Sequence, residues 1–147
     1  MICISLAGLK PCDILEVLKS VAMAEIRLDL LNLTAAEIEK IFQAHSNLIA
    51  TCRPEKLSEE ERWSRLSTAI TSGAAYVDIE LESTVDIKLQ VKELARINGT
   101  KVIISSHNFI ETPSDAEMAR LIRAMQAEGA DLVKLACKIN SKNDASR

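Results

Sequence analysis

The chain has 147 residues, of which 48% are hydrophobic and 27% charged, with four glycines and three prolines. That balance excludes a disordered or collagen-like chain and fits one globular α/β-sized domain spanning residues 1–147. With 18 Lys and Arg against 21 Asp and Glu, the net charge of −3 lacks the basic excess of a nucleic-acid binder but leaves room for a local cationic pocket.

Along the chain, short apolar strands alternate with helices of period 3.6. Strands are predicted at residues 2–7, 25–30, 48–52, 76–81, 102–106 and 131–136, and helices starting near Cys12, Ala35, Glu59, Thr84 and Ser114. Thr34 with Glu37, Ser58 with Glu61 and Ser114 with Glu117 have the spacing of capping boxes, in which a hydroxyl and a carboxylate satisfy free N–H groups at a helix start. Gly73, Gly99 and Gly129 fall just before strands, where a left-handed residue ends a helix. Apolar stripes at Ile14, Val17, Leu18 and Val21, and at Met118, Leu121, Ile122 and Met125, read as packing against a sheet, as do Trp63, Leu66 and Ile70.

The four cysteines (Cys3, Cys12, Cys52, Cys137) form no C-x-x-C, and the only histidines are His45 and His107. Neither a zinc site nor a disulfide framework is expected. No basic leader precedes the first apolar run, and charges interrupt every candidate membrane span. A cytoplasmic protein with reduced thiols, contacting neither membrane nor nucleic acid, is the expectation.

Six βα repeats indicate a parallel sheet, either doubly wound or closed as a barrel. The turn after the first strand, Ala7-Gly8-Leu9-Lys10-Pro11, lacks the glycine-rich phosphate loop of a dinucleotide-binding sheet. Polar residues at the ends of several strands instead point to the mouth of a (β/α)8 TIM barrel. Glu25, Arg27 and Asp29 alternate with apolar neighbours, which puts all three on one face of the second strand. The competing explanation is an edge strand with one wet face. Arg53 follows the third strand, Asp78 and Glu80 share a face of the fourth, and the fifth runs into Ser105-Ser106-His107-Asn108-Phe109. Lys134 interrupts the apolar sixth strand, where burying an ammonium is expensive. It reads either as a salt bridge to Asp78 or Glu80, or as an amine with a lowered pKa suited to Schiff-base chemistry.

Taken together, Glu25-Ile26-Arg27-Leu28-Asp29, Thr51-Cys52-Arg53, Tyr76-Val77-Asp78-Ile79-Glu80-Leu81, Ser105-Ser106-His107-Asn108-Phe109 and Val133-Lys134-Leu135-Ala136 resemble the type I 3-dehydroquinate dehydratases. The resemblance implies a TIM barrel that dehydrates 3-dehydroquinate to 3-dehydroshikimate through a lysine imine, as the third step of the shikimate pathway. It implies a homodimer with no metal or cofactor. On this resemblance Lys134 is the imine-forming lysine and His107 the general acid/base. Glu25, Arg27 and Arg53, with Ser5 at the end of the first strand, bind substrate.

Two departures stand out. The family usually carries an acidic residue and glycines soon after this arginine, whereas here Arg53-Pro54-Glu55-Lys56-Leu57-Ser58-Glu59-Glu60-Glu61 has no glycine, and Glu80 on the neighbouring strand is the expected partner orienting His107. The chain also holds six strands where a barrel has eight, and the family's last two strands supply an arginine, a serine and a glutamine to the substrate. Residues 139–147 read as a loop entering a sixth helix. The expectation is an incomplete barrel, inactive or unstable alone, because an open six-stranded sheet leaves two apolar edges. The rival readings are another lysine-imine barrel such as a class I aldolase, a non-catalytic barrel fragment, and an open-sheet binding domain in which Glu25, Arg27 and Asp29 face water.

Overall fold

In the computed structural model, which describes residues 2–55 and 57–146, the chain alternates strand and helix throughout. Met1, Lys56 and Arg147, which the sequence reading includes, lie outside the described residues. The elements are β1 (Ile4–Leu6), α1 (Pro11–Leu18), β2 (Ala24–Arg27), α2 (Ala35–Gln43), β3 (Leu48–Thr51), α3 (Glu59–Thr71), β4 (Tyr76–Glu80), α4 (Val85–Asn98), β5 (Lys101–Asn108), α5 (Asp115–Ala127) and β6 (Leu132–Cys137).

Helix boundaries follow local chemistry. Thr34 and Ser58 each accept from the backbone N–H three residues on, and Glu37 and Glu61 return the contact, so both capping boxes are complete. Ser114 makes only its own half of the box, accepting from Glu117 N–H. Pro11 starts α1, where its missing N–H is no loss. Gly99 ends α4 at φ 72°, the left-handed conformation that glycine adopts without strain.

The six strands are all parallel, in the order β1-β2-β3-β4-β5-β6. A doubly wound sheet reverses its order partway, and this one does not. β2 is an interior strand between β1 and β3, so the edge-strand explanation of its charges fails. Curvature follows from one contact: Lys134 on β6 lies 3.0 Å from Glu25 on β2. Those strands are four places apart, about 19 Å in a flat sheet at the usual strand spacing. The sheet therefore curls so that one face looks inward. The architecture is an α/β half-barrel, with six strands and five α-helices of a (β/α)8 TIM barrel among the described residues.

The outer face carries the apolar core. Ile26, Ala50, Val77, Ile79 and Ile104 are fully buried beneath the helices, against side chains such as Ile14, Phe42, Leu66, Ile70, Val91 and Met125. Trp63, Leu121 and Ile122 pack on the margin of this cluster. Every strand differs from expectation by one or more residues at an end, and two of these differences bear on the site. β2 stops at Arg27 because Leu28–Leu30 turn into a 3-10 helix, which takes Asp29 off the strand. β5 runs through His107 and Asn108, because β6 pairs with it as far as Cys137. Near the end of the chain, Asp144–Ser146 form a 3-10 turn.

Candidate active site

Each parallel strand ends on the same side of the half-barrel, and its inward side chains meet there. Glu25, Arg27, Arg53, His107 and Lys134 line one cavity of about 540 Å³, with Glu55, Glu80, Glu82 and Phe109 on its walls. Five of the six residues expected from the sequence are thus brought together. Ser5 stands one step behind, its hydroxyl donating to Glu25 Oε2 at 2.7 Å.

Glu25 gathers donors from three strands: Ser5, Thr51 at 2.9 Å and the Lys134 ammonium at 3.0 Å. Burial alone would push its carboxyl up. The Ser5 hydroxyl, the Lys134 charge and the remaining hydrogen bonds outweigh that and bring it from 4.5 down to about 2. Asp78, fully buried, accepts from Lys134 at 3.0 Å, from Ser105 at 2.6 Å and from two Arg53 nitrogens at 3.1 and 3.2 Å.

Lys134 therefore differs from the lowered amine considered from the sequence. Burial works against its charge, but Asp78 and Glu25 outweigh burial and hold it above its ordinary 10.5. Its neighbours within hydrogen-bond reach are anions, so the resting group is an ammonium. Of the two salt-bridge partners expected, Asp78 is engaged, whereas Glu80 faces the arginines instead.

Arg53 is a hub. Its guanidinium donates to Asp78, Glu80, Ser105 and, through Nη2, to His107 Nε2 at 2.9 Å. An arginine only donates, so Nε2 offers its lone pair and the neutral ring carries its proton on Nδ1. Burial lowers the imidazole pKa below 6.5, and the charges of Arg53 and Lys134 push the same way against Asp78 and Glu80. Phe109 stacks on the ring, with centroids 5.8 Å apart. Glu80 does not touch His107: among the described residues no carboxylate bonds the imidazole, and Glu80 reaches it only through Arg53. Arg27 is held by Asp29 through a two-point contact at 3.0 and 2.7 Å. Its Nη1 makes no hydrogen bond among the described residues, and the side chain lines the cavity.

Sequence reasoning missed Thr51 and Ser105, short hydroxyls that looked like ordinary strand ends, and Arg62. Arg62 is 1% exposed and bonds Glu80, Ser83 and the Cys52 carbonyl. Its place on the stripe Arg62, Leu66, Ala69, Ile70 was the available signal. Among the described residues every buried side-chain nitrogen and oxygen has a partner. No described helix is long and apolar enough to cross a membrane.

Comparison with known proteins identifies the family and agrees with the fold. The sequence profile of the type I 3-dehydroquinase family matches residues 2–147. The 3-dehydroquinate dehydratase of Desulfotalea psychrophila is 33% identical over 130 residues, covering 84% of this chain and 57% of the relative. That of Pyrococcus abyssi is 34% identical over 129 residues, covering 84% and 59%. The chain thus spans less than two thirds of the length of these relatives. The crystal structure of the Aquifex aeolicus 3-dehydroquinate dehydratase superposes with a TM-score of 0.81 at 25% identity, covering 100% of this chain and 71% of that one. With the sequence match running from residue 2 to residue 147 and the fold match spanning the whole chain, the chain belongs to the type I 3-dehydroquinase family.

Proposed function

We propose that this half-barrel carries the reacting groups of a lyase that converts 3-dehydroquinate to 3-dehydroshikimate through a Schiff base on Lys134. The observation that carries the reading is the meeting of an inward lysine, a neutral imidazole and two arginines in one cavity. The names of the curated relatives supply the substrate.

The steps follow from the groups present. A lysine titrating above 10.5 is neutral in fewer than about one molecule in a thousand at pH 7. The ammonium must therefore lose a proton before Nζ adds to the ketone carbon. His107, kept a free base at neutral pH, is the acceptor in the cavity. Addition gives a neutral carbinolamine, whose hydroxyl takes back the proton held by His107 and leaves as water, giving a protonated imine and a neutral imidazole again. The imine draws electrons from the adjacent C–H, and His107 takes that proton to leave an enamine. The enamine expels the β-hydroxyl, which leaves as water with the proton returned by His107. Hydrolysis of the conjugated imine frees product and the Lys134 amine. Glu25 and Asp78 stabilise positive charge on Nζ before and after imine formation. Arg27, with Nη1 unclaimed, and Arg53 bind the substrate carboxylate, for which a planar fork of donors is suited. Ser5 keeps Glu25 in place.

Borohydride reduction in the presence of 3-dehydroquinate tests this. A covalent adduct is expected by intact mass, mapped to Lys134 and absent in Lys134→Ala. No adduct, or an equal adduct in that variant, overturns the reading. Turnover, followed by the conjugated enone in the ultraviolet, is expected to need a closed barrel, because β1 and β6 stand at the open edges of the six strands. The same reading places the protein in the cytoplasm, in the shikimate pathway of aromatic amino acid biosynthesis, as a homodimer that sedimentation would reveal.

A further inference from the structure

Arg62 lies outside the cavity lining and belongs to the first turn of α3, where arginine is usually solvated. Instead it heads the largest fully buried side chains of the described residues. Its donors have defined destinations. Nε donates to the Cys52 carbonyl at 2.6 Å, Nη1 and Nη2 to Ser83 Oγ at 3.3 and 3.2 Å, and Nη2 also to Glu80. Two of these partners bear on one residue. Cys52 is the peptide unit leading into Arg53, and Glu80 is a carboxylate that binds the Arg53 guanidinium through its other oxygen. Arg62 thus constrains Arg53 from its backbone and from its side chain.

We propose that Arg62 is a positioning residue: through Glu80 and the Cys52 carbonyl it sets the Arg53 guanidinium against His107 Nε2. The inference concerns the resting site and takes from the proposed dehydratase reading only that His107 is the base. The alternative role, an anchor pinning α3 to the sheet, would not require a charge. A buried ion pair is often replaced by apolar residues of similar volume with no loss of stability. What an apolar residue cannot do is share Glu80 with Arg53. Without Arg62, one Glu80 oxygen keeps only the Ser83 hydroxyl, and the negative charge facing Arg53 and His107 is less compensated.

The charged groups acting on His107 are Arg53 after β3, Asp78 and Glu80 on β4, and Lys134 on β6. Removing the Arg62 charge behind Glu80 favours the imidazolium, so the sign of the effect is fixed. The test is an NMR pH titration of the imidazole signals in the protein without substrate. With only two histidines, assignment is direct, and His45, tied to Val21 and Asn47 ahead of β2 and β3, is the internal control. In Arg62→Met the His107 midpoint is expected to rise by about one pH unit. In Arg62→Lys, which keeps the charge but loses the fork, a smaller rise is expected. His45 should not move in either. If Arg62→Met does not fold, Arg62→Lys carries the test. A folded variant whose His107 midpoint matches the parent overturns the proposal and leaves Arg62 as an anchor. Because no substrate is used, failure of imine trapping would not touch this result, nor the reverse.

Discussion

Along β4 both faces of the curled sheet are buried, and they are held by different physics. Val77 and Ile79 point outward into the helix layer, and Asp78 and Glu80 point inward, all four buried. Under the helices, contact is nondirectional, and any side chain of suitable volume serves. Inside, each group has a named partner and each partner is shared, so that Asp78 serves Arg53, Ser105 and Lys134 at once. The outer face confers stability and the inner face confers charge states.

Substitutions can break that division. The largest effect is expected for Glu80→Ala, which takes from Arg53 and Arg62 the carboxylate they share. Breaking a buried pair costs about 3–5 kcal/mol, read as a lowered urea midpoint, and the His107 titration should move with it. Ile79→Ala, one residue away on the opposite face, is expected to cost about 2–5 kcal/mol by opening a cavity. Here the His107 midpoint should stay put. If it moves, the two faces are coupled and the division is wrong. The smallest effect separates the faces by pH. Glu25 sits at about 2 in the folded protein against an ordinary 4.5. Its contribution to stability is therefore present above about 4.5 and lost as pH falls from there towards 2. Glu25→Gln should flatten that acid limb in unfolding curves recorded from pH 5 to pH 2. An unchanged slope would mean that the Ser5, Thr51 and Lys134 contacts do not hold the carboxylate charged.

Much of this was legible in the sequence, and the failures have physical causes. Strand and helix alternation was readable because periods of 2 and 3.6 are local. Strand ends were less so. Asp29 continues the polar alternation of Glu25 and Arg27 perfectly well, yet it sits in a 3-10 turn where it grips Arg27. The extension of β5 through Asn108 depends on pairing with β6, some 29 residues away, which no local pattern encodes. That Lys134 belonged to the site was visible from its intrusion into an apolar run. Its charge was not, because two carboxylates from β2 and β4 decide it, and both reach it only once the sheet has curled. Arg62 escaped notice because an arginine on a helix defaults to solvent, and only its position on the buried stripe argued otherwise.

The strand order also bears on how the chain folds. Each strand pairs with the one before it in sequence, so the ladder can grow by closing short segments in turn. The Lys134 bond to Glu25 is different in kind, since it joins residues 109 apart. No intermediate lacking β6 can make it, and a nascent chain on the ribosome cannot assemble this corner until its sixth strand has emerged. The amine proposed to do the chemistry is thereby also a reporter of curvature: its ion pair with Glu25 joins β2 to β6 and exists only when the sheet between them has curled.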